Sequence, residues 1–558
     1  MYHTKHNVMK AIVGVIMLLV SLTACNKNLD ENPPNLVSSD KLFQNYAGFE
    51  AGLNGIYSLA RQEWEGIEGS SALVADMFMN GTDNMVTNHQ VAGVNEVYQK
   101  WGALNNPTND FYDQVFKWLY QTISAANAII IHAEDDNVNW NGGSATPEVN
   151  KNRVIGEARA IRAWAYRHLA YNWGDVPLNL QESLGSTIRT DWVRAPVAEV
   201  RRQIITDLLF AQQYVPVTGS LSGRMTKGAV QHYLSEMYLL IGKPDSALVW
   251  ADKVVETSQY KLVTARYGVR ANQPGTPFMD MFYAGNVKRE EGNTEALWVY
   301  QFKFQTIGGG LSLQKRHHIS RYASIRVGTV TPFRVTTERG GNGLGRMSMT
   351  KYAIDLYSPQ DTRGQGYAVR KYFILTDAAG NAPAPADILP AGMKYGDTVK
   401  LSWTNDISAA SRSRTDWPFS RKADWADPNN LADFASYKDV LYLRLAETYL
   451  LKAEAEFKLG RLAQAAATIN LLRARANAPL ITAADVTLNF ILDERSRELI
   501  MEEQRRYTLL RTGTWLQRTS LYNKNGGQLI AARDTLFPIP QSVIDANLTA
   551  TMPQNPGY

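Results

Sequence analysis

VLYLRLAETYLLKAEAEFKLGRLAQAAATINLLRARA, residues 440–476, is the stretch that decides the fold. Leu443, Ala446, Leu450, Ala453 and Phe457 recur every three or four residues, which places them on one stripe of a helix. Gly460 breaks the pattern, and Leu462, Ala466, Ile469 and Leu472 resume it on a second helix. The many alanines let two backbones approach closely, so the stretch reads as an antiparallel hairpin of the kind that repeats about every 34 residues. A lone hairpin leaves its apolar face in water. The rest of the chain must therefore supply neighbours of the same kind.

It does. Residues 41–61 carry a broken helical period. Residues 111–132 place Val115, Leu119, Ile123, Ala126 and Ile130 at helical spacing, and residues 154–173 form a second helix that stops at Gly174-Asp175-Val176-Pro177; together they read as a hairpin. After Pro196, the residues Val200, Ile204, Leu208 and Ala211 share a face. Residues 227–257 pair again, with Leu239, Gly242 and Ala247 spaced like Phe457, Gly460 and Ala465. Thr482 and Asp485 make a capping box for a last long helix over residues 486–512. The expected fold is mainly α: about four hairpins, two or three before residue 260 and one or two after 437.

Two stretches lack this period. Residues 63–109 are rich in Gly, Asn and Asp, and long excursions of that kind are more often binding loops than filler. Between residues 260 and 436, Ala296, Trp298, Tyr300, Phe302 and Phe304 alternate with their neighbours as a strand with one aromatic face. Around it lie glycine runs at 308–310 and 340–345, and Pro383, Pro385 and Pro390. We read residues 260–436 as a loop-rich insertion with a few short strands. It packs on a helical body formed by residues 41–259 and 437–558, so that 41–558 is a single domain.

The chain has 558 residues, 45% of them hydrophobic, and a formal charge of +5, with no basic run dense enough for nucleic acid. Its single cysteine, Cys25, rules out an intrachain disulfide or a cysteine-based zinc site. Lys5 and Lys10 precede an apolar run at residues 11–20 and then Leu22-Thr23-Ala24-Cys25: a charged region, a short hydrophobic region and a small-residue cleavage site. The run is too short to span a bilayer comfortably. Leu-Thr-Ala-Cys resembles a bacterial lipobox, which makes residues 1–24 a lipoprotein signal peptide and Cys25 the lipidated first residue. Several acyl chains give stable anchoring where one is marginal. Residues 25–40 then form a flexible tether, whose roughly 15 residues span about 20 Å.

Separated motifs, in order, resemble the SusD/RagB family of lipid-anchored nutrient-binding proteins of Bacteroidetes outer membranes. They are the lipobox; Gly156-Glu157-Ala158-Arg159 with Arg162-Ala163 and Gly174-Asp175-Val176-Pro177; residues 223–229 (GRMTKGA); Glu447 with Glu454-Ala455; Asn470 with Arg473-Ala474-Arg475-Ala476; Asp493-Glu494-Arg495 with Arg497-Glu498-Leu499; and the terminal Phe537-Pro538-Ile539-Pro540 and Gln554-Asn555-Pro556-Gly557-Tyr558. The resemblance spans essentially the whole chain. It implies four tetratricopeptide-like hairpins under a variable loop region and a TonB-dependent transporter of the SusC type as partner. It also implies a place on the outer face of the outer membrane, and oligosaccharide or polysaccharide as ligand, with peptides handled by some members.

No His-Glu-x-x-His, Gly-x-Ser-x-Gly or phosphate-loop spacing is present, so no enzyme is expected. Glu494 and Glu498 lie at the separation a glycosidase needs, but residues four apart on a helix meet it automatically; they read as a salt-bridged interface, with a surface hydrolase as the alternative. A neutral glycan wants a flat aromatic surface flanked by amides, carboxylates and guanidiniums. Two loop stretches have that composition: Asp83, Asn84, Asn88, Trp101 and Asn105; and Arg316, His317, His318, Arg321 and Tyr322, with Tyr283 upstream. Most of the 13 Trp, 27 Tyr and 17 Phe belong in a core, and Trp101 reads as either core or platform. His317 and His318 read as a polar wall with no metal. Asp424, Asp427, Asn429 and Asp433 read as a solvated loop or a structural calcium site. No other cofactor is expected.

Overall fold

The computed structural model describes residues 38–66, 73–88, 94–183, 189–219, 221–377, 386–403 and 414–558. The expected signal peptide, Cys25 and most of the expected tether lie outside the described residues. The body is a row of eight helices: α1 Tyr46–Glu65, α2 Asp110–His132, α3 Pro147–Trp173, α4 Val197–Tyr214, α5 Lys227–Leu240, α6 Pro244–Val255, α7 Leu445–Lys458 and α8 Leu462–Arg475. Each packs on the next, so four hairpins form a continuous stack. Helix α2 packs on α1, across the long excursion that separates them in sequence, as well as on α3.

Local chemistry starts and stops these helices where the sequence places its signals. Asn45, Thr146 and Thr226 accept hydrogen bonds from Gly48 N, Val149 N and Ala229 N, capping α1, α3 and α5. The turns of the last two hairpins need positive φ, and Gly242 at 71° and Gly460 at 72° supply it. Ala453, Ala465, Ala466 and Ile469 close the α7–α8 interface, whereas Leu451 and Ala455 pack back on Leu239, Ala247 and Leu248 of the preceding hairpin. Small side chains on both faces are what lets one helix touch two neighbours.

The structure corrects the boundary at the start of the deciding stretch. Residues Val440–Arg444 form a strand, β6, before α7 begins at Leu445. It pairs antiparallel with β2, Ala296–Tyr300, and both are buried along their whole length. Tyr442 stacks on Tyr300 at 4.2 Å and meets Trp298 edge-on at 4.8 Å. Such pairs contribute about 0.5–1.5 kcal/mol each beyond area burial, enough to override local helical preference. The aromatic strand stops at Tyr300, so Phe304 emerges half-exposed at the surface.

The last long helix is also broken. The Thr482–Asp485 capping box exists but closes only one 3-10 turn; α9 is Leu488–Leu499 and α10 is Arg505–Arg511, with Met501 between them at φ 66°. The break has a cause outside the segment. Lys422 Nζ donates to Glu498 O at 2.9 Å and Ile500 O at 3.0 Å, and Arg444 Nη2 donates to Glu498 O at 2.8 Å. Those carbonyls are the acceptors a continuing helix would use.

Short strand pairs tie the insertion in: β1 Met85–Thr87 of the 63–109 excursion pairs with β3 Met347–Met349, and within the insertion β4 Tyr372–Ile374 pairs with β5 Thr398–Lys400. One hydrophobic cluster runs from Leu53 and Trp164 in the body to Phe373 and Trp417 in the insertion. The chain is mainly α with only short strand pairs. No helix among the described residues is long and apolar enough to cross a membrane.

Candidate ligand-binding face

Most of the residues singled out from composition lie inside the protein. Asp83 is fully buried: Arg505 grips it through two 2.8 Å bonds and Arg518 Nε adds a third at 2.8 Å. Burial alone would raise its pKa, but the two guanidiniums hold the carboxyl below its ordinary value. Asn84 donates to Ser496 Oγ at 3.1 Å; Asn105 donates to Asp534 and Tyr558 and accepts from Tyr112. Trp101 is 1% exposed, packed on Tyr98 and edge-on to Trp515. His317 is buried with Nδ1 2.9 Å from Asp76, and Tyr322 is buried with its hydroxyl donating to Gly341 O. These side chains satisfy interior polar groups and present nothing to a ligand. The composition of a sugar site and that of a satisfied polar interior are the same. The missed signal is the arginine excess between 495 and 518, which demands buried carboxylate partners.

The carboxylates of the acidic loop are taken up by neighbouring groups. Asp424 is committed to Arg421 at 2.7 Å, Asp427 accepts from Asn429 N and Asp433 from Ala435 N. Among the described residues no group of three or more His, Cys, Asp or Glu is placed to hold a metal. Glu494 and Glu498 are both buried. The first is bonded by Arg363, Arg473 and Arg497, the second by Arg363, Arg444 and Arg475. Burial opposes their charge, yet the arginines hold both carboxyls below their ordinary range. Neither has a proton to give or a path to a substrate.

Solvent meets aromatic rings on the insertion instead. The outward alternation of β4 buries Phe373 and turns Tyr372 out, 43% exposed, beside Tyr367 at 38%. Both line a cleft of about 590 Å³ with Glu338, Gln365, Arg370 and Arg421. Arg370 and Arg421 both reach Asp424 Oδ2, at 3.4 and 2.7 Å, and both donate to Glu338 O. Their planes are thus fixed before any ligand arrives. Burial first, then the neighbouring Arg421 charge, pulls Arg370 down to about 10.

A second recess of about 250 Å³ shares Glu338 and Arg421 with the cleft and adds Arg270, Tyr283 and Trp425. The Arg270 guanidinium lies 4.4 Å over the Tyr283 ring. Trp425 meets Tyr437 edge-on at 6.0 Å, and Tyr437 meets the exposed Phe304 at 4.8 Å. Aromatic surface therefore runs from Tyr372 through the two recesses to Phe304, bordered by guanidiniums, a carboxylate and an amide. Ring faces can stack on the C–H faces of pyranoses, and the border can bond hydroxyls. Of the residues expected from sequence, Tyr283 lines the second recess but is itself buried, 7% exposed beneath Arg270, and Arg316 lies on the turn beside it, half-buried.

Fold and face together define a helical-repeat protein that holds an irregular, partly aromatic surface on a helical wall. The chain belongs to the SusD/RagB family. Residues 312–558 match the model of the SusD family, and residues 27–239 match one described as starch-binding and associating with the outer membrane. SusD-like protein P2 of Formosa agariphila is 26% identical over 98% of this chain and 99% of its own. The starch-binding protein SusD of Bacteroides thetaiotaomicron is 38% identical over 22% of each. Among solved structures, a laminarin-binding SusD-like protein superposes with a TM-score of 0.68 at 20% identity, covering 92% of this chain and 100% of that one. Surface glycan-binding protein A of Bacteroides thetaiotaomicron, in complex with laminarihexaose, gives 0.67 at 18% identity over 92% and 99%.

Proposed function

We propose that this protein is a non-catalytic surface binding protein that captures oligosaccharide or polysaccharide and passes it to a TonB-dependent transporter of the outer membrane. The observation that carries the reading is the aromatic run from Tyr372 to Phe304 with its bordering Arg370, Arg421 and Glu338. The names of the structural relatives, which bind laminarin and laminarihexaose, support glycan as the ligand class. Family membership and the lipobox at Cys25 support lipid anchoring to the outer membrane and a SusC-like partner. The commitment of Glu494 and Glu498 to arginines supports binding without turnover.

Calorimetry of the mature protein against a panel of neutral and charged oligosaccharides tests the core of this reading. Binding that weakens on Tyr372→Ala and Trp425→Ala supports it; a protein that binds no glycan at millimolar concentration, or that binds equally well after both changes, overturns it. Cys25→Ala is expected to release the protein from the membrane fraction, and co-purification with the transporter tests the partner.

A further inference from the structure

Beside the aromatic face, four arginines from three stretches of chain converge. Arg316 comes from the turn Gln314–His318, Arg321 from the loop after it, Arg346 from the residue before β3 and Arg414 from the approach to β-paired residues 419–420. Backbone bonds clamp these stretches together: Arg321 N to Arg414 O at 2.7 Å, Leu344 N to Arg316 O at 2.9 Å, and Gly345 N to Ile319 O at 2.8 Å. Gly345 makes the approach possible. Its φ is 55°, and a Cβ there would stand 2.3 Å from Arg414 O.

The cations feel one another. Burial and then Arg316 and Arg414 lower the proton affinity of Arg346, and burial and then Arg321 lower that of Arg414. The carboxylate facing them is Asp76, whose Oδ2 is already 2.9 Å from His317 Nδ1. Among the described residues no carboxylate pairs with Arg316, Arg321 or Arg414, and Arg316 Nε is buried without a hydrogen-bond partner. Arg363, by contrast, has Asp361, Glu494 and Glu498, and Arg444 has Glu295, Glu498 and Glu502. Like charges held close together repel, so positive charge is in excess where these side chains meet. Guanidiniums bond carboxylate and sulfate oxygens in a forked geometry, and an incoming oxyanion would relieve the repulsion. The same turn reaches the aromatic face, since Lys315 Nζ lies 5.2 Å over the Trp425 ring.

We propose that Arg316, Arg321 and Arg414, packed beside the buried Arg346, form a subsite for an oxyanion carried by the glycan, either a uronate carboxylate or a sulfate ester, so that the preferred ligand is an anionic polysaccharide. This rests on the glycan-binding reading and narrows it.

The test is calorimetry of the whole folded protein against four probes: a galacturonate hexamer, a sulfated carrageenan oligosaccharide, neutral laminarihexaose and a single-stranded DNA of matched charge, at roughly 50 and 300 mM salt. One charged glycan is expected to bind at least about 10-fold tighter than laminarihexaose. That affinity is expected to fall about 10-fold in Arg321→Gln and again in Arg414→Gln, and to weaken with salt, while laminarihexaose affinity stays put. Whichever charged probe responds distinguishes carboxylate from sulfate. The melting temperature of Arg321→Gln, whose side chain is exposed, is expected to equal or exceed that of the parent, because a like charge is removed. Charged glycans binding no tighter than laminarihexaose would overturn the subsite and leave glycan binding standing; no glycan binding at all would overturn both. DNA binding as tightly as the charged glycans would overturn the ligand class. A lower melting temperature with unchanged affinity in both variants would make the cluster scaffold.

Discussion

Glu498 joins four pieces of chain. It sits on α9 and receives Arg363 Nη1 at 2.8 Å from the insertion, Arg444 Nη1 at 2.6 Å from the end of β6, and Arg475 from the end of α8. All four side chains are buried. Removing one partner of a buried pair costs about 3–5 kcal/mol, mostly through the charge left behind. Here each arginine keeps another carboxylate: Arg363 keeps Asp361 and Glu494, Arg444 keeps Glu502 and Glu295, and Arg475 keeps Glu295. We therefore expect Glu498→Ala to cost about 3 kcal/mol, the lower end of that range. With an unfolding entropy of about 2.1 cal/mol/K per residue over roughly 500 residues, that is a fall of about 3 °C in melting temperature. Urea titration is the assay, since urea does not screen charge.

The pH dependence of the same residue has a definite sign. Its folded pKa is held well below the ordinary 4.5, burial notwithstanding, by Arg475, Arg444 and Arg363. The stabilisation is thus complete above about 4.5 and disappears as pH falls through the folded value. The gap between parent and Glu498→Gln is expected to be constant from pH 8 to 5 and to shrink below 4.5. A loss under 1 kcal/mol for Glu498→Ala, or a gap indifferent to acid, would refute the account of Glu498 as a charged hub.

Glu63 should behave in the opposite sense: burial raises it to about 7, so its cost is absent below 4.5, grows between 4.5 and 7 and is complete above. Glu63→Gln, whose amide oxygen can still accept from Gln504 while its NH2 donates to the Tyr300 hydroxyl, is expected to stabilise by up to about 3 kcal/mol at pH 8 and by nothing at pH 4; urea titrations at the two pH values read this directly, and equal effects at both would sink it. Trp101→Ala is expected to cost about 3–5 kcal/mol in stability while leaving glycan affinity of the folded protein unchanged. Tyr372→Ala is expected to do the reverse, weakening binding about 10-fold by calorimetry with little change in melting temperature, because its ring is 43% exposed.

The helical row could be read from sequence because its determinants are local. Periods such as Val115, Leu119 and Ile123, and the turn glycines Gly242 and Gly460, need no distant partner to be recognised. Strand β6 could not be read, since residues 440–444 continue a helical stripe and become a strand only because Trp298 and Tyr300 wait some way off in the chain. The break after α9 was hidden for the same reason: the groups that capture its carbonyls are Lys422 and Arg444. The face was the least legible part. Tyr367, Tyr372, Trp425 and Tyr437 are scattered, and only folding assembles them, whereas the tight grouping of Asp83, Asn84, Trp101 and Asn105 marks a polar interior. Tyr283 and Arg316, which flank the aromatic strand in sequence, are the two sequence candidates that fold next to these recesses.

Lys422 stitches the insertion to the end of α9, and its neighbour Arg421 lines both recesses. The β2–β6 pair and the Glu498 arginines make the other seams. Specificity and rigidity are consequently written in different residues. A designer who kept Lys422, Arg444, Arg363 and the two strands could exchange residues 366–376, ring by ring, for those of another receptor and alter what is captured without re-engineering the wall behind it.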